Sequence, residues 1–270
     1  MLERKITTIH GHRLAYVDEG EGPVLLFIHG FCGSADYFEH VIPALTPEFR
    51  CIAPDLRGHG QSDAPPGPWT IDQIAEDIAH LVYELTENDI VMFGHSLGGY
   101  ATLAFAEKYM TRLSGFGLIH STAYPDSEEA KKGRLKAIET INQHGIRHFV
   151  NDLIPKLFAP VNLESKQSDI ERVKQIGYQT SPEGAQAALT AMKDRPDRNH
   201  ILKKADCPIL LIAGEEDQLI DKSKTFSAEG HTIEQKLIEN AGHMSMYENP
   251  SRFIEIARSF AHEAKRLQPR

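Results

Sequence analysis

Residues 89–110 read DIVMFGHSLGGYATLAFAEKYM and set a serine between glycines in the pattern Gly94-x-Ser96-x-Gly98. A serine hydroxyl is a weak nucleophile. It needs a base within hydrogen-bond reach and a third group to orient that base. Two later stretches offer such groups. In EQKLIENAGHMSMYENPSRF, His243 follows an apolar run and precedes a helix starting near Pro250. In PILLIAGEEDQLI, another apolar run leads into Glu215, Glu216 and Asp217, with Asp221 just beyond. A histidine that takes the serine proton while a carboxylate fixes its tautomer is the equipment of acyl transfer. The short serine pattern arises by chance often enough that its meaning depends on the elements around it.

Those elements alternate short apolar runs with helical periods. KITTIH and RLAYVDEG flank Gly11-His12 and read as an opening hairpin. PVLLFIHG, FRCIAPDL, DIVMFGH, LSGFGLIHS, CPILLIAGEED and EQKLIENAGH read as strands buried in a parallel sheet. Between them, Ile71, Ile74, Ala75, Ile78, Leu81, Val82 and Leu85 recur at a spacing of three and four, which makes one apolar helix face. Leu97–Met110 and Phe253–Ala261 have similar periodicity. The expectation is an α/β fold whose sheet of about eight strands, mostly parallel, is covered by helices on both faces. From 123 to 199 no buried strand is apparent, only helix-prone polar sequence with apolar islands. That length suits an inserted helical subdomain better than a loop. The reading is thus a core of 1–122 and 200–270 with a helical segment, 123–199, inserted after the sixth strand.

In this frame Ser96 follows a buried strand and opens a helix. The chain must reverse within a few residues, and side chains at Gly94 or Gly98 would collide where strand and helix approach. As a plain helix N-cap, Ser96 would satisfy one backbone donor but leave both glycines unexplained. His243 and the GEED acids emerge at the same carboxyl edge of the sheet, where ligands bind in open α/β sheets.

HGFCGS, DLRGHGQSD, GHSLGG, GEED and AGHM occur in order along the chain at suitable spacing. With them the sequence resembles the α/β-hydrolase fold superfamily over nearly its whole length, and more narrowly its cap-bearing, carboxylesterase-like serine hydrolases. The resemblance implies a triad of Ser96, Asp217 and His243, in the chain order of that family. It selects Asp217 over its acidic neighbours, with Asp126, after the sixth strand, as the alternative position known in relatives. It implies an oxyanion hole from the backbone N–H groups of Phe31 and Leu97, although Cys32 stands where some relatives carry glycine. It makes 123–199 the cap, and DLRGHGQSD a structural turn in which Arg57 pairs with carboxylates or carbonyls.

Other features read as structural. His95 is packing within the elbow, and His29 holds the oxyanion loop. His120, His144, His148 and His200 form no metal-ligand spacing, so no metal and no cofactor are expected. No Gly-Lys-Ser/Thr follows the elbow, which argues against a phosphate loop. Lys131, Lys132, Arg134 and Lys136 alternate with acids and read as a solvated helix face. Cys32, Cys51 and Cys207 have unrelated spacings and read as free thiols, Cys32 as a small apolar filler.

The 270 residues carry a net charge of −9 spread over both halves, which argues against nucleic acid or an anionic membrane as partner. The opening MLERKITTIHGHRL lacks the features of a signal peptide, and no apolar run approaches the roughly 20 residues of a membrane span. The expected location is the cytoplasm and the expected partner a small-molecule ester. Hydrolysis of small or medium acyl esters is the favoured chemistry. Lactone, thioester or carbon–carbon bond hydrolysis, perhydrolysis, and a non-enzymatic small-molecule receptor share the same scaffold.

Overall fold

The computed structural model describes residues 2–266. The eight apolar runs become β1 Lys5–Ile9, β2 His12–Glu19, β3 Val24–Ile28, β4 Arg50–Pro54, β5 Ile90–His95, β6 Leu113–Ile119, β7 Ile209–Gly214 and β8 Ile233–Ile238. They form one sheet in the order β1-β2-β4-β3-β5-β6-β7-β8. β2 runs antiparallel to β1 and β4, and the remaining pairs are parallel. The first turn lies one residue earlier than the sequence suggests. His10 and Gly11 take positive φ of 51° and 82°, and His12 already pairs with Ile9.

Because β3 and β5 are hydrogen-bonded neighbours while the chain leaves them toward opposite edges of the sheet, their carboxyl ends flank a switch in strand order. The loops after β3 and β5 diverge there and open a crevice. Successive residues of the central strands feed opposite faces. Leu26, Ile28 and Met92 pack with helices Ile71–Leu85 and Leu97–Tyr109. Leu25, Phe27, Val91 and Phe93 pack with Phe38, Ile42 and helix Pro250–Arg266. Helix Ile71–Leu85 starts on a capping box, in which Thr70 accepts from Gln73 N–H while the Gln73 side chain accepts from Thr70 N–H.

Two elements depart from the sequence reading. β8 is an edge strand, largely half-exposed, because Glu234, Gln235 and Lys236 interrupt its apolar residues. Helix Leu97–Tyr109 is buried on every side from Leu97 to Ala106 rather than along one stripe, since it is wedged between the sheet, helix Ile71–Leu85 and residues of the inserted segment.

Between β6 and β7 the chain is helical: Glu128–Leu153, broken at Gly145, then Gln167–Gly177, Pro182–Lys193 and Asn199–Lys204. Its ends meet where Arg198 N–H donates to the Ala123 carbonyl at 2.8 Å. The segment does not build a core of its own. Ile141, Ala188, Leu189 and Met192 join the cluster containing Leu97, and Val150, Ile154, Leu157 and Ile176 join that of Phe27. Among the described residues no helix is long and apolar enough to cross a membrane.

Candidate active site

Ser96 sits between β5 and helix Leu97–Tyr109 with φ 51° and ψ −112°. Such a conformation costs a serine on the order of 1–3 kcal/mol. Four hydrogen bonds hold it: Ser96 N–H donates to Ile119 O at 2.9 Å, and Ser96 O accepts from Gly99 N–H at 2.9 Å, Tyr100 N–H at 3.3 Å and Ser121 Oγ at 2.8 Å. A Cβ at Gly94 would overlap Thr102 Oγ1 and the Gly98 carbonyl, and one at Gly98 the Ile28 carbonyl. The glycines are therefore what lets the helix start this close to the strands.

His243 lies in the loop after β8. Its N–H donates to Leu157 O at 2.7 Å, and its carbonyl lies 2.9 Å from His95 Nε2. His243 Nδ1 is 2.8 Å from Asp217 Oδ2, while Asp217 Oδ1 accepts from the N–H groups of Leu219 at 2.9 Å and Ile220 at 3.1 Å. With the carboxylate accepting on both oxygens, Nδ1 is the donor, and Nε2 is left as the basic nitrogen of a neutral ring. Burial by itself pushes the Asp217 carboxyl up. The facing positive form of His243, the nearby His120, whose Nδ1 lies 3.5 Å from Asp217 Oδ2, and the His243 hydrogen bond outweigh burial and hold the group below the usual carboxylate range.

Four other histidines surround this pair in places where burial pushes their pKa down. His29 Nδ1 lies 2.8 Å from Gly30 O, and its Nε2 accepts from Leu56 N–H at 2.8 Å, which fixes the loop after β3. His95 Nε2 donates to the His243 carbonyl, and its Nδ1 is buried with no hydrogen-bond partner among the described residues. His120 accepts from Gly214 N–H at Nδ1 and donates from Nε2 to Ser245 Oγ at 2.7 Å. His59 packs against the ring of His29.

Among the described residues, the nearest arrangement to a metal site is His120, Asp217 and His243, whose ligand atoms lie within 4.8 Å of one another. A zinc ion with bonds of 2.0–2.1 Å would hold tetrahedral ligand atoms roughly 3.3 Å apart. The 2.8 Å between His243 and Asp217 is instead a hydrogen-bond distance, and His120 spends both nitrogens elsewhere, so these residues do not fit a metal.

Ser96 and His243 line a cavity of about 340 Å³ together with Phe31, Tyr100, Phe149, Leu153, Leu157, Leu189, Met192, Leu219 and Ile220. A Cβ built on Gly30 would come within 3.2 Å of Ser96 Cβ, so the loop carrying Phe31 passes directly over the elbow. A larger recess of about 870 Å³ is lined by Leu113, Cys207, Ile209 and Ile233. It lies at the amino ends of β6, β7 and β8, on the far side of the sheet from Ser96.

The chain matches the alpha/beta hydrolase fold family over residues 23–250. It belongs to that family. A thermophilic esterase from Thermogutta terrifontis, solved with malate bound, is 32% identical, covers 97% of this chain and 99% of its own, and superposes with a TM-score of 0.91. An enol-lactonase from Burkholderia xenovorans is 23% identical over 96% of this chain and 100% of its own, with a TM-score of 0.87, a likeness of fold. The 2-(acetamidomethylene)succinate hydrolase of Mesorhizobium japonicum is 29% identical over 211 residues, which is 75% of this chain and 74% of that one. This α/β-hydrolase is accordingly a hydrolytic enzyme.

Within this hydrolase the alternative acid, Asp126, is spent on Arg195 Nη1 and on Arg134 Nε at 3.1 Å. Asp55, Arg57 and Ser62 are structural. Asp55 accepts from the N–H groups of Ala35 and Gln61, Arg57 pairs with Asp77, and Ser62 Oγ donates to Asp55 O. Burial pushes the Cys32 thiol up, which suits a filler and not a nucleophile. Of the inserted residues, Phe149, Leu153, Leu157 and Met192 line the pocket. Phe158 is buried in the neighbouring cluster and fastens the insertion to the core.

Sequence reasoning missed Glu248. Its Oε1 accepts from Ala159 N–H and Asn162 Nδ2, and its Oε2 from the N–H groups of Gly242 and Met244, at 2.6–3.2 Å. One buried carboxylate thus clamps the backbone on both sides of His243 and ties it to the insertion. Only its position five residues after His243 hinted at this. Leaving buried N–H groups unpaired costs about 1–3 kcal/mol each. Glu248→Ala should therefore lower stability by at least about 3 kcal/mol in urea melts, and Glu248→Gln, which turns an amide NH₂ toward one pair of donors, by less.

Stability should also fall in mild acid. Histidines of the unfolded chain take up protons below about pH 6.5, while buried His29, His59, His95 and His120 resist protonation. The unfolded state then binds more protons, and stability declines as pH drops. For His59, held at about 4, that loss runs from about pH 6.5 down to about 4. Thermal melts at pH 7.5, 6 and 5 should show a progressive fall in Tm, and a flat profile would contradict the neutral-histidine assignment.

Proposed function

We propose that this hydrolase cleaves carboxylic esters of small or medium acyl groups. Ser96 is the nucleophile, His243 the general base and Asp217 its orienting acid. The observation that carries the reading is a serine held at φ 51° in the wall of an apolar cavity that also contains His243, whose Nδ1 is committed to Asp217. Residues 1–122 and 200–270 act as the catalytic core, and 123–199 as a cap that closes the pocket. A cavity of about 340 Å³ lies at the lower end of the roughly 300–1,000 Å³ of small-molecule sites, which favours short acyl chains. Likeness to the Thermogutta esterase supports an ester bond as the target. The net charge of −9 makes nucleic acid an unsuitable substrate.

In the reaction, His243 Nε2 takes the Ser96 proton as Oγ attacks the ester carbonyl carbon. The N–H groups of Phe31 and Leu97 hold the oxygen as it becomes an oxyanion. Leu97 is the first residue of its helix, so its N–H has no intrahelical acceptor and carries the positive end of the helix dipole. Collapse of the adduct breaks the bond to the alkoxy group, which leaves as the alcohol with the proton from His243. Water, deprotonated by His243, then attacks the acyl-enzyme, frees the acid and returns the proton to Ser96. Every proton and electron pair in this cycle is carried by the ester, water and the chain's own residues.

Ser96→Ala should lower kcat on p-nitrophenyl acetate and butyrate by at least about 10⁴-fold, and a fluorophosphonate should label wild type but not the variant. Absence of both turnover and labelling in wild type would favour a receptor. Asp217→Asn should cost on the order of 10⁴-fold. With its amide oxygen facing the N–H groups of Leu219 and Ile220, the substituted side chain would turn NH₂ toward His243 Nδ1 and force the proton onto Nε2. An unchanged rate in that variant would show the acid to be misassigned.

A further inference from the structure

We infer, resting on the ester-hydrolase reading above, that the preferred substrate carries a carboxylate a few bonds from the scissile ester, and that Arg134 is its counter-ion. Arg134 belongs to the inserted helix Glu128–Leu153, and it lines the cavity with Ala130, Gly133 and Ala137. These positions are three and four apart, so one helix face is turned to the chamber. The other three are small, and a Cβ on Gly133 would meet nothing within 4 Å. Arg134 is therefore the one long side chain on this face, with open space beside it. This differs from the solvated face read from the sequence: Lys132 and Lys136 are exposed, whereas Arg134 is half-buried.

The charge around it is unbalanced. Asp126 pairs with both Arg134 and Arg195, so one carboxylate serves two guanidiniums. Arg195 is buried and engaged through Nε and Nη1. It donates to Asp126, Tyr124 O and Met192 O, and its guanidinium carbon lies 3.9 Å from the centre of the Tyr100 ring. Arg134 is bonded to Asp126 through Nε. Its two terminal amino groups, half of the fork that suits a carboxylate, make no hydrogen bond to the described residues. No Asp or Glu lines the cavity. Arg134 is the one Lys or Arg in this apolar wall, and its partly buried setting strengthens its attraction for an anion.

The test compares p-nitrophenyl hemiglutarate with p-nitrophenyl valerate, which has a similar chain but no charge. Wild type should favour the anionic ester in kcat/KM by at least about tenfold. Arg134→Gln should collapse that ratio toward one, and Arg134→Lys, which keeps the charge without the fork, should recover part of it. Calorimetry with glutarate gives a readout independent of turnover, with binding to wild type weakened at least about tenfold by Arg134→Gln. Turnover of the valerate ester without preference for the hemiglutarate, or an equal ratio in wild type and a folded Arg134→Gln, overturns this inference alone. Failure to hydrolyse either ester overturns the ester-hydrolase reading itself.

Discussion

The backbone of one residue constrains most of this molecule. Holding Ser96 at positive φ requires the chain to turn from β5 into a helix without an intervening loop. The helix then starts against β3 and β5, with Gly98 and Gly94 at the contacts where a side chain cannot fit. A helix so placed has no solvent face in its first three turns, which explains why Leu97–Ala106 is apolar or small throughout. The strain is sustained by bonds from two neighbouring residues, Ile119 and Ser121. Because several contacts determine the conformation, it does not relax, and the hydroxyl stays turned to the cavity.

Charge is the second constraint. Asp217 is taken out of water, and an isolated carboxylate there would be costly. Two backbone N–H groups and the His243 ring stabilise it, while the neighbouring histidines are held neutral by burial. A protonated His95 or His120 would compete with His243 for the single negative charge. In the proposed mechanism their neutrality leaves the Asp217 charge available to His243, with His120 Nδ1 3.5 Å from the same oxygen. Glu248, the other buried carboxylate beside this loop, is spent on N–H groups of the backbone and of Asn162, and fixes the position of the loop.

Much of this was legible in the sequence because it depends on local chemistry. The strands declared themselves as unbroken apolar runs, and the helix Ile71–Leu85 by its period. Ser96, Asp217 and His243 followed from strand-end positions and from the family resemblance, and the latter two meet at hydrogen-bond distance. What escaped depends on long-range placement. Glu248 acts across 89 positions on Ala159, and nothing near it in sequence marks that contact. Arg134 sits among Lys131, Lys132 and Lys136, and only the packing of its helix decides that it faces inward while Lys132 and Lys136 face water. β8 was misjudged because edge position depends on strand order, which the run IEQKLI does not encode.

The inserted helices show how a wall can be both fixed and selective. From Val150 onward they are locked to the core: Val150, Ile154 and Leu157 share a cluster with Phe38, Arg172 pairs with Asp36 and Glu39, and Leu157 O receives the His243 N–H. Moving that half would also move His243. The half before Gly145 buries only Ile141 fully and leaves Leu135 half-exposed. The break at Gly145 (φ 79°) separates it from the locked half. The residues that shape the far wall of the pocket, Ala130 to Ala137, lie on this half. The geometry of the reacting groups and the fit of the substrate are therefore set by different parts of the same insertion. Under the proposed function, one can change in sequence without disturbing the other.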